Sequence, residues 1–333
     1  MTRNMKQWAA DMIASTKKNA LPILSFPSVQ LMGITVRELI GSSDSQAAGM
    51  KLIADRVPSA AAVSLMDLSV EAEAFGSYIR FSDNEVPTVQ GHIVSDEDEA
   101  AALAVPAVGT ARTGIYIEAI EKAVQLITDR PVFGGVIGPF SLAGRLLDVS
   151  EALALCYEEP DMVHAVLEKT TAFLIAYTRA YKDAGANGVV MAEPLTGMLS
   201  PALAEKFSTP YVRRIVDAMQ SDEFFVVYHN CGNNVLLMAD SIAATGAAAF
   251  HFGNAIDLSK MLPLMPADRL VMGNVDPAGQ FCHGTPESVM AATRSVMTAC
   301  GGWPNFLISS GCDIPPVSPW ENIDAFFKAV SDF

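Results

Sequence analysis

Short apolar runs alternate with longer stretches of helical period along this chain. Eight runs stand out, at residues 21–26, 61–67, 132–140, 188–194, 224–232, 248–254, 270–276 and 306–313. Amphipathic stretches at 1–18, 36–56, 115–129, 150–184 (interrupted near Pro160), 201–219, 234–245, 286–300 and 319–330 separate most of them. An apolar strand followed by a helix is the pattern of a parallel sheet whose faces are covered by helices. Eight such units predict a (β/α)8 TIM barrel, with residues 1–333 forming a single catalytic domain that begins with an N-terminal helical extension.

One segment departs from the alternation. Residues 71–114 carry Pro87, Pro106 and the acidic run Ser95-Asp96-Glu97-Asp98-Glu99. They predict an elaborated loop region after strand 2, on the face where barrels carry their sites, and so a lid or a partner surface. The acidic run itself reads as a solvated helix start.

Barrel chemistry collects at the C-terminal ends of the strands. Taken in order, those ends present Asp67, Gly138-Pro139-Phe140, Glu193, His229 with Cys231, Asn254, Asp276 and Cys312. His229 and Cys231 stand two apart, so on a strand they project to the same side. With Cys312 from a distant run they make one imidazole and two thiolates, a set that suits Zn2+ and leaves a fourth tetrahedral position for water or substrate. Glu193 is a candidate catalytic group, as an exchangeable fourth ligand or a proton holder beside the metal, and equally a candidate helix cap. Asp67 carries the same two readings, whereas Asp276, followed by Pro277, reads as a cap. His251, inside an apolar run, reads as a hydrogen-bonded core residue and is the main competitor for the metal.

Composition narrows the partners. The chain is half hydrophobic and carries 37 acidic against 22 basic residues, a formal net charge of −15, which argues against nucleic acid and anionic membrane surfaces. Five scattered cysteines suit a reducing compartment. No apolar stretch reaches the roughly 20 residues of a bilayer span, so a soluble cytoplasmic protein is expected.

Five segments carry a family resemblance over nearly the whole chain. They are Val70-Glu71-Ala72-Glu73-Ala74-Phe75-Gly76, Gly138-Pro139-Phe140-Ser141-Leu142-Ala143-Gly144, Tyr228-His229-Asn230-Cys231-Gly232, Gly273-Asn274-Val275-Asp276-Pro277 and Ser310-Gly311-Cys312-Asp313-Ile314-Pro315-Pro316. In these the chain resembles the uroporphyrinogen decarboxylase superfamily and, within it, the methylcobamide:coenzyme M methyltransferase branch. The His-x-Cys and Gly-Cys-Asp segments are the selective ones, since they match that branch's zinc ligands. The resemblance implies transfer of a methyl group from a methylcorrinoid, carried by a partner corrinoid protein, to a small-molecule thiol such as coenzyme M.

Two other readings compete. A uroporphyrinogen decarboxylase-like lyase would place Asp67 near that enzyme's catalytic aspartate, but residues 21–30 contain none of the arginines that grip porphyrinogen carboxylates there. A noncatalytic corrinoid or porphyrin carrier would use the barrel mouth for binding alone. Neither gives the two cysteines a task.

Overall fold

The computed structural model describes residues 3–333. Seven parallel strands form one curled sheet: β1 (Ala62–Val63), β4 (Val132–Ile137), β5 (Gly188–Ala192), β6 (Phe225–Asn230), β7 (Ala249–Phe252), β8 (Leu270–Val275) and β9 (Phe306–Ser310), hydrogen-bonded in that order. A separate antiparallel hairpin, β2 (Tyr78–Arg80) with β3 (Thr88–Gln90), pairs Ile79 with Val89. The expected TIM-barrel class is therefore observed, with one difference. The first run, 21–26, is no full strand: Ala20 alone bridges β9 at Ile308 and the approach to β1 at Ser59. Pro22 has no N–H to donate, which breaks the ladder just after the bridge, and Ile23 N–H turns to Ser310 Oγ at 3.1 Å. The bridge still joins the two edges of the sheet, so the barrel closes.

Strand periodicity divides the core in two. One set of side chains, among them Phe133, Val190, Phe225, Val227, Ala249, Leu270, Met272 and Leu307, fills the barrel interior. The alternate set, such as Val136, Val189, Val226, Tyr228, Phe250, Val271 and Ile308, packs under the helices. The extension expected at 1–18 is a helix at Met5–Ala14, capped by Asn4, whose side chain accepts from Gln7 N–H. Met1 and Thr2 lie outside the described residues. Met5 and Ala9 join the interior cluster, Trp8 packs on it, and the Met5 and Lys6 amides donate to Asp222 O at 2.7 and 3.2 Å. This helix stoppers the end of the barrel opposite the strands' C-termini.

Local breaks in the expected helices have local causes. The 36–56 stretch is two helices, Val36–Ile40 and Ser43–Arg56, because Ser42 side chain caps the second through Ser45 N–H. The 150–184 stretch divides into Val149–Glu158 and Pro160–Asp183 at Pro160, as its sequence predicts. Residues 71–114 hold the hairpin and a short helix, Glu97–Ala102, started by Asp96, so the acidic run is indeed a capped helix start. No helix among the described residues is long and apolar enough to cross a membrane.

Candidate metal centre

His229 occupies the inward phase of β6, after Phe225 and Val227, and Cys231 follows one residue past the strand end. Cys312 lies two residues beyond β9, on a turn anchored by Gly311 N–H to Val275 O at 2.6 Å. These elements bring the three ligand atoms within 4.8 Å of one another, with Cys312 Sγ 3.5 Å from His229 Nε2. Around a tetrahedral zinc with bonds of about 2.0–2.3 Å, nitrogen and sulfur ligands stand about 3.5–3.8 Å apart, so the grouping needs little adjustment. His229 is buried, and both cysteines, which lie past the strand ends, are half-buried. The two thiols share their proton unequally: hydrogen bonding from Cys312, then His229, pulls Cys231 down to about 4, while the Cys231 sulfur and burial push Cys312 well up.

His251 does not join the cluster. Adjacent strands pair His229 with His251 in register, and the two Nδ1 atoms meet at 2.8 Å. His251 Nε2 lies 2.8 Å from Ser309 Oγ, whose hydroxyl donates to Leu21 O at 2.7 Å. Burial and the adjacent His229 hold His251 well below the usual imidazole range.

Glu193 is fully buried, on the outward phase of β5. Its Oε1 accepts from Phe140 N–H at 2.8 Å, and its Oε2 accepts from Ser141 N–H at 2.9 Å and Ser141 Oγ at 2.6 Å. The structure therefore places it at the N-terminus of the helix Pro139–Leu147, whose own cap position is Gly138 and supplies no side chain. Gly138 is required there, because a Cβ would collide with the Glu193 carboxylate. Burial pushes Glu193 up to about 7 against the pull of Ser141 and Phe140.

Asp67 is also buried. It accepts from the Arg112 guanidinium, from Tyr116 OH at 2.9 Å, and from Ser69 N–H and Oγ at 3.1 and 2.5 Å. Arg112 in turn reaches Glu73 at 2.6 Å. This network ties the strand-1 end to the elaborated 71–114 region. Beside it lies a cavity of about 480 Å³ between the hairpin loop and the mouth, lined in part by Met66, Val86, Arg145 and Asp313. Asp313 follows Cys312 directly; burial pushes its carboxyl well up, and its Oδ1 has no hydrogen-bond partner.

The three residues singled out from the sequence, His229, Cys231 and Cys312, do come together, whereas most of their surroundings were not legible in it. Ser309 and Arg112 carried no signal, since a serine in a strand and an arginine in a loop are commonplace. His251 did carry one: a polar residue at the center of Phe250-His251-Phe252 must face inward and needs a partner. Asp276 caps as expected, accepting from Ala278 and Gly279 N–H at 3.0 Å each.

Comparison with known proteins adds a family. The model described as "Uroporphyrinogen decarboxylase (URO-D)" matches residues 25–333. The methylcobamide:CoM methyltransferase MtbA of Methanosarcina mazei is 30% identical over 277 residues, covering 80% of this chain and 78% of that protein. The uroporphyrinogen decarboxylase of Paraburkholderia phytofirmans is 27% identical over 285 residues, covering 81% and 76%. Among solved structures, a methyltransferase from Methanosarcina mazei superposes with a TM-score of 0.88 at 22% identity, covering 99% of both chains.

Proposed function

The chain belongs to the uroporphyrinogen decarboxylase family, and from that premise we propose that it moves a methyl group from a protein-bound methylcorrinoid to a thiol activated on zinc. The observation that carries this reading is the convergence of His229 Nε2 with the sulfurs of Cys231 and Cys312 at the open end of the barrel. The donor chemistry fits the ion, because two soft thiolates and an imidazole favor zinc over oxygen-seeking cations, and three protein ligands leave one place for substrate. Relatives of 30% and 28% identity named as methylcobamide:CoM methyltransferases support the reaction class.

Zinc in this site would supply the charge that lets an incoming thiol release its proton to solvent at neutral pH. The chain's own groups do the rest. Cys231 and Cys312 would hold the ion and, as thiolates, would bring two negative charges that offset it and leave an incoming sulfur electron-rich. The acceptor sulfur attacks the methyl carbon, and the cobalt–carbon bond breaks with its electron pair remaining on the corrinoid. The exposed mouth gives a corrinoid protein room to approach, and the adjoining cavity gives a small thiol room for its tail. All five cysteines are free, which suits a reducing cytoplasm.

The decarboxylase reading has less support. It leaves both cysteines without a task, and the Asp67 carboxylate is already engaged by Arg112, Tyr116 and Ser69. Glu193, considered as a catalytic group, acts in the proposed scheme through the helix it caps.

Metal analysis combined with a thiol screen against methylcobalamin tests the proposal. The expected result is about one zinc per chain, thiol-dependent demethylation of methylcobalamin, and loss of both on replacing Cys312 with alanine. Porphyrinogen turnover by zinc-free protein would overturn it.

A further inference from the structure

His229 can present a lone pair to a cation only if its proton sits on Nδ1, and the residues behind it decide that. Ser309 has one hydroxyl hydrogen, and it is given to Leu21 O at 2.7 Å. The Ser309 oxygen can then only accept from His251 Nε2, 2.8 Å away. A neutral His251 with its proton on Nε2 has a bare Nδ1, which at 2.8 Å accepts from His229 Nδ1. His229 is left with an unprotonated Nε2, the atom that faces Cys312. Each step follows from donor counting, and the start of the chain is a backbone carbonyl that cannot reverse its role.

Nothing nearby offers the proton another home. His229, His251 and Ser309 are each at most 1% exposed. The void under His251 holds only about 10 Å³ and, apart from His251 itself, is walled by apolar side chains such as Leu21, Ile23, Phe133 and Val190, so it lacks the two or more polar partners that retain a water. The rings of His229 and His251 meet nearly edge to face, at 74° and 4.6 Å between centers, so both orientations are held by packing as well.

We propose that His251 and Ser309 are positioning residues which, through the directed chain from Leu21 O, fix the tautomer and aim of His229 and thereby set the affinity of the metal centre. This rests on reading His229, Cys231 and Cys312 as metal ligands. It assigns the second histidine, which does not touch the metal, a defined task. Partners of a ligating histidine at this remove are worth about 10–100-fold in metal affinity.

The test is Zn2+ affinity measured by chelator competition, with the visible spectrum of the Co2+-loaded protein as a second readout. His251→Leu, which cannot accept from His229, should weaken Zn2+ binding by about 10–100-fold and alter the cobalt bands. His251→Gln should restore both, because its amide oxygen can accept from His229 while its N–H donates to Ser309. Ser309→Ala, a smaller change, should weaken binding in the same direction and decides the matter if the leucine variant does not fold. Folded Leu and Ala variants that bind Zn2+ as the wild type does would overturn the proposal, as would a glutamine variant as weak as the leucine one. Wild-type protein that binds no Zn2+ would instead overturn the metal reading itself, so the two failures are distinguishable.

Discussion

Gly253 packs directly against Cys231: a Cβ built on the glycine would lie 2.5 Å from both the Cα and the Cβ of the cysteine. The loop after β7 therefore presses on the residue proposed to carry one metal ligand, and Gly253 N–H donates to Asn230 O at 3.1 Å in the same contact. Backbone cannot yield as a flexible side chain would. Gly253→Ala is expected to displace Cys231, lower Zn2+ affinity by at least tenfold, and cost about 1–3 kcal/mol of overpacking strain. Chelator competition and urea denaturation on the same sample measure the two effects.

Asp67 neutralizes Arg112 in a nearly dry setting, with the carboxylate side chain 0% and the guanidinium side chain 9% exposed. Removing the acid leaves a buried cation with only Glu73 as counter-ion. Asp67→Ala should therefore lose about 3–5 kcal/mol, and the double variant with Arg112→Met should lose less than the sum of the singles. Additive losses in a denaturation cycle would show that the pair is not coupled.

Glu193 is expected to matter for the fold around the site more than for the ion. Glu193→Ala strands the Phe140 and Ser141 amides in a buried place, at a cost of about 2–3 kcal/mol, while zinc content stays at the wild-type value. A fall in zinc affinity beyond tenfold in folded protein would instead make Glu193 a fourth ligand.

Glu71 gives a pH signature. It is buried, its Oε1 accepts from Ile137 N–H, and its Oε2 has no partner; desolvation pushes it up from 4.5 to about 7. An acid whose folded pKa is raised stabilizes most below its unfolded value, and the contribution is lost as pH rises through the folded value. Stability should thus decline between pH 4.5 and about 7, by a quantity of order 3 kcal/mol from this group at about 1.4 kcal/mol per unit. Glu71→Gln should flatten that part of the profile, as read from denaturant midpoints at pH 5 and pH 8.

How much of this was legible in the chain depended on distance along it. Phe225, Val227 and His229 follow a two-residue period that points them to one side, so the inward aim of His229 and the company of Cys231 can be read directly from 225–231. The convergence of Cys312 required only that 306–313 be another strand of the same barrel. Asp67 and Glu193 were not resolvable in that way. Their partners, Arg112 and Ser141, lie 45 and 52 residues off, and a buried carboxylate that is capping or ion-paired has the same local sequence as one that is catalytic. The first strand was misjudged for a simpler reason: apolarity marked 21–26 as a strand, whereas Pro22 denied it the donors of one.

The helix Met5–Ala14 stoppers one end of the barrel, and the packed interior above it is continuous. Among the described residues, the mouth at the strands' C-terminal ends is then the way in, and on the proposed reading the cation, the mercaptan and its methylated product would share it. On that reading traffic would be sequential, with the ion installed before a large corrinoid carrier occupies the threshold and the product leaving once that carrier steps back.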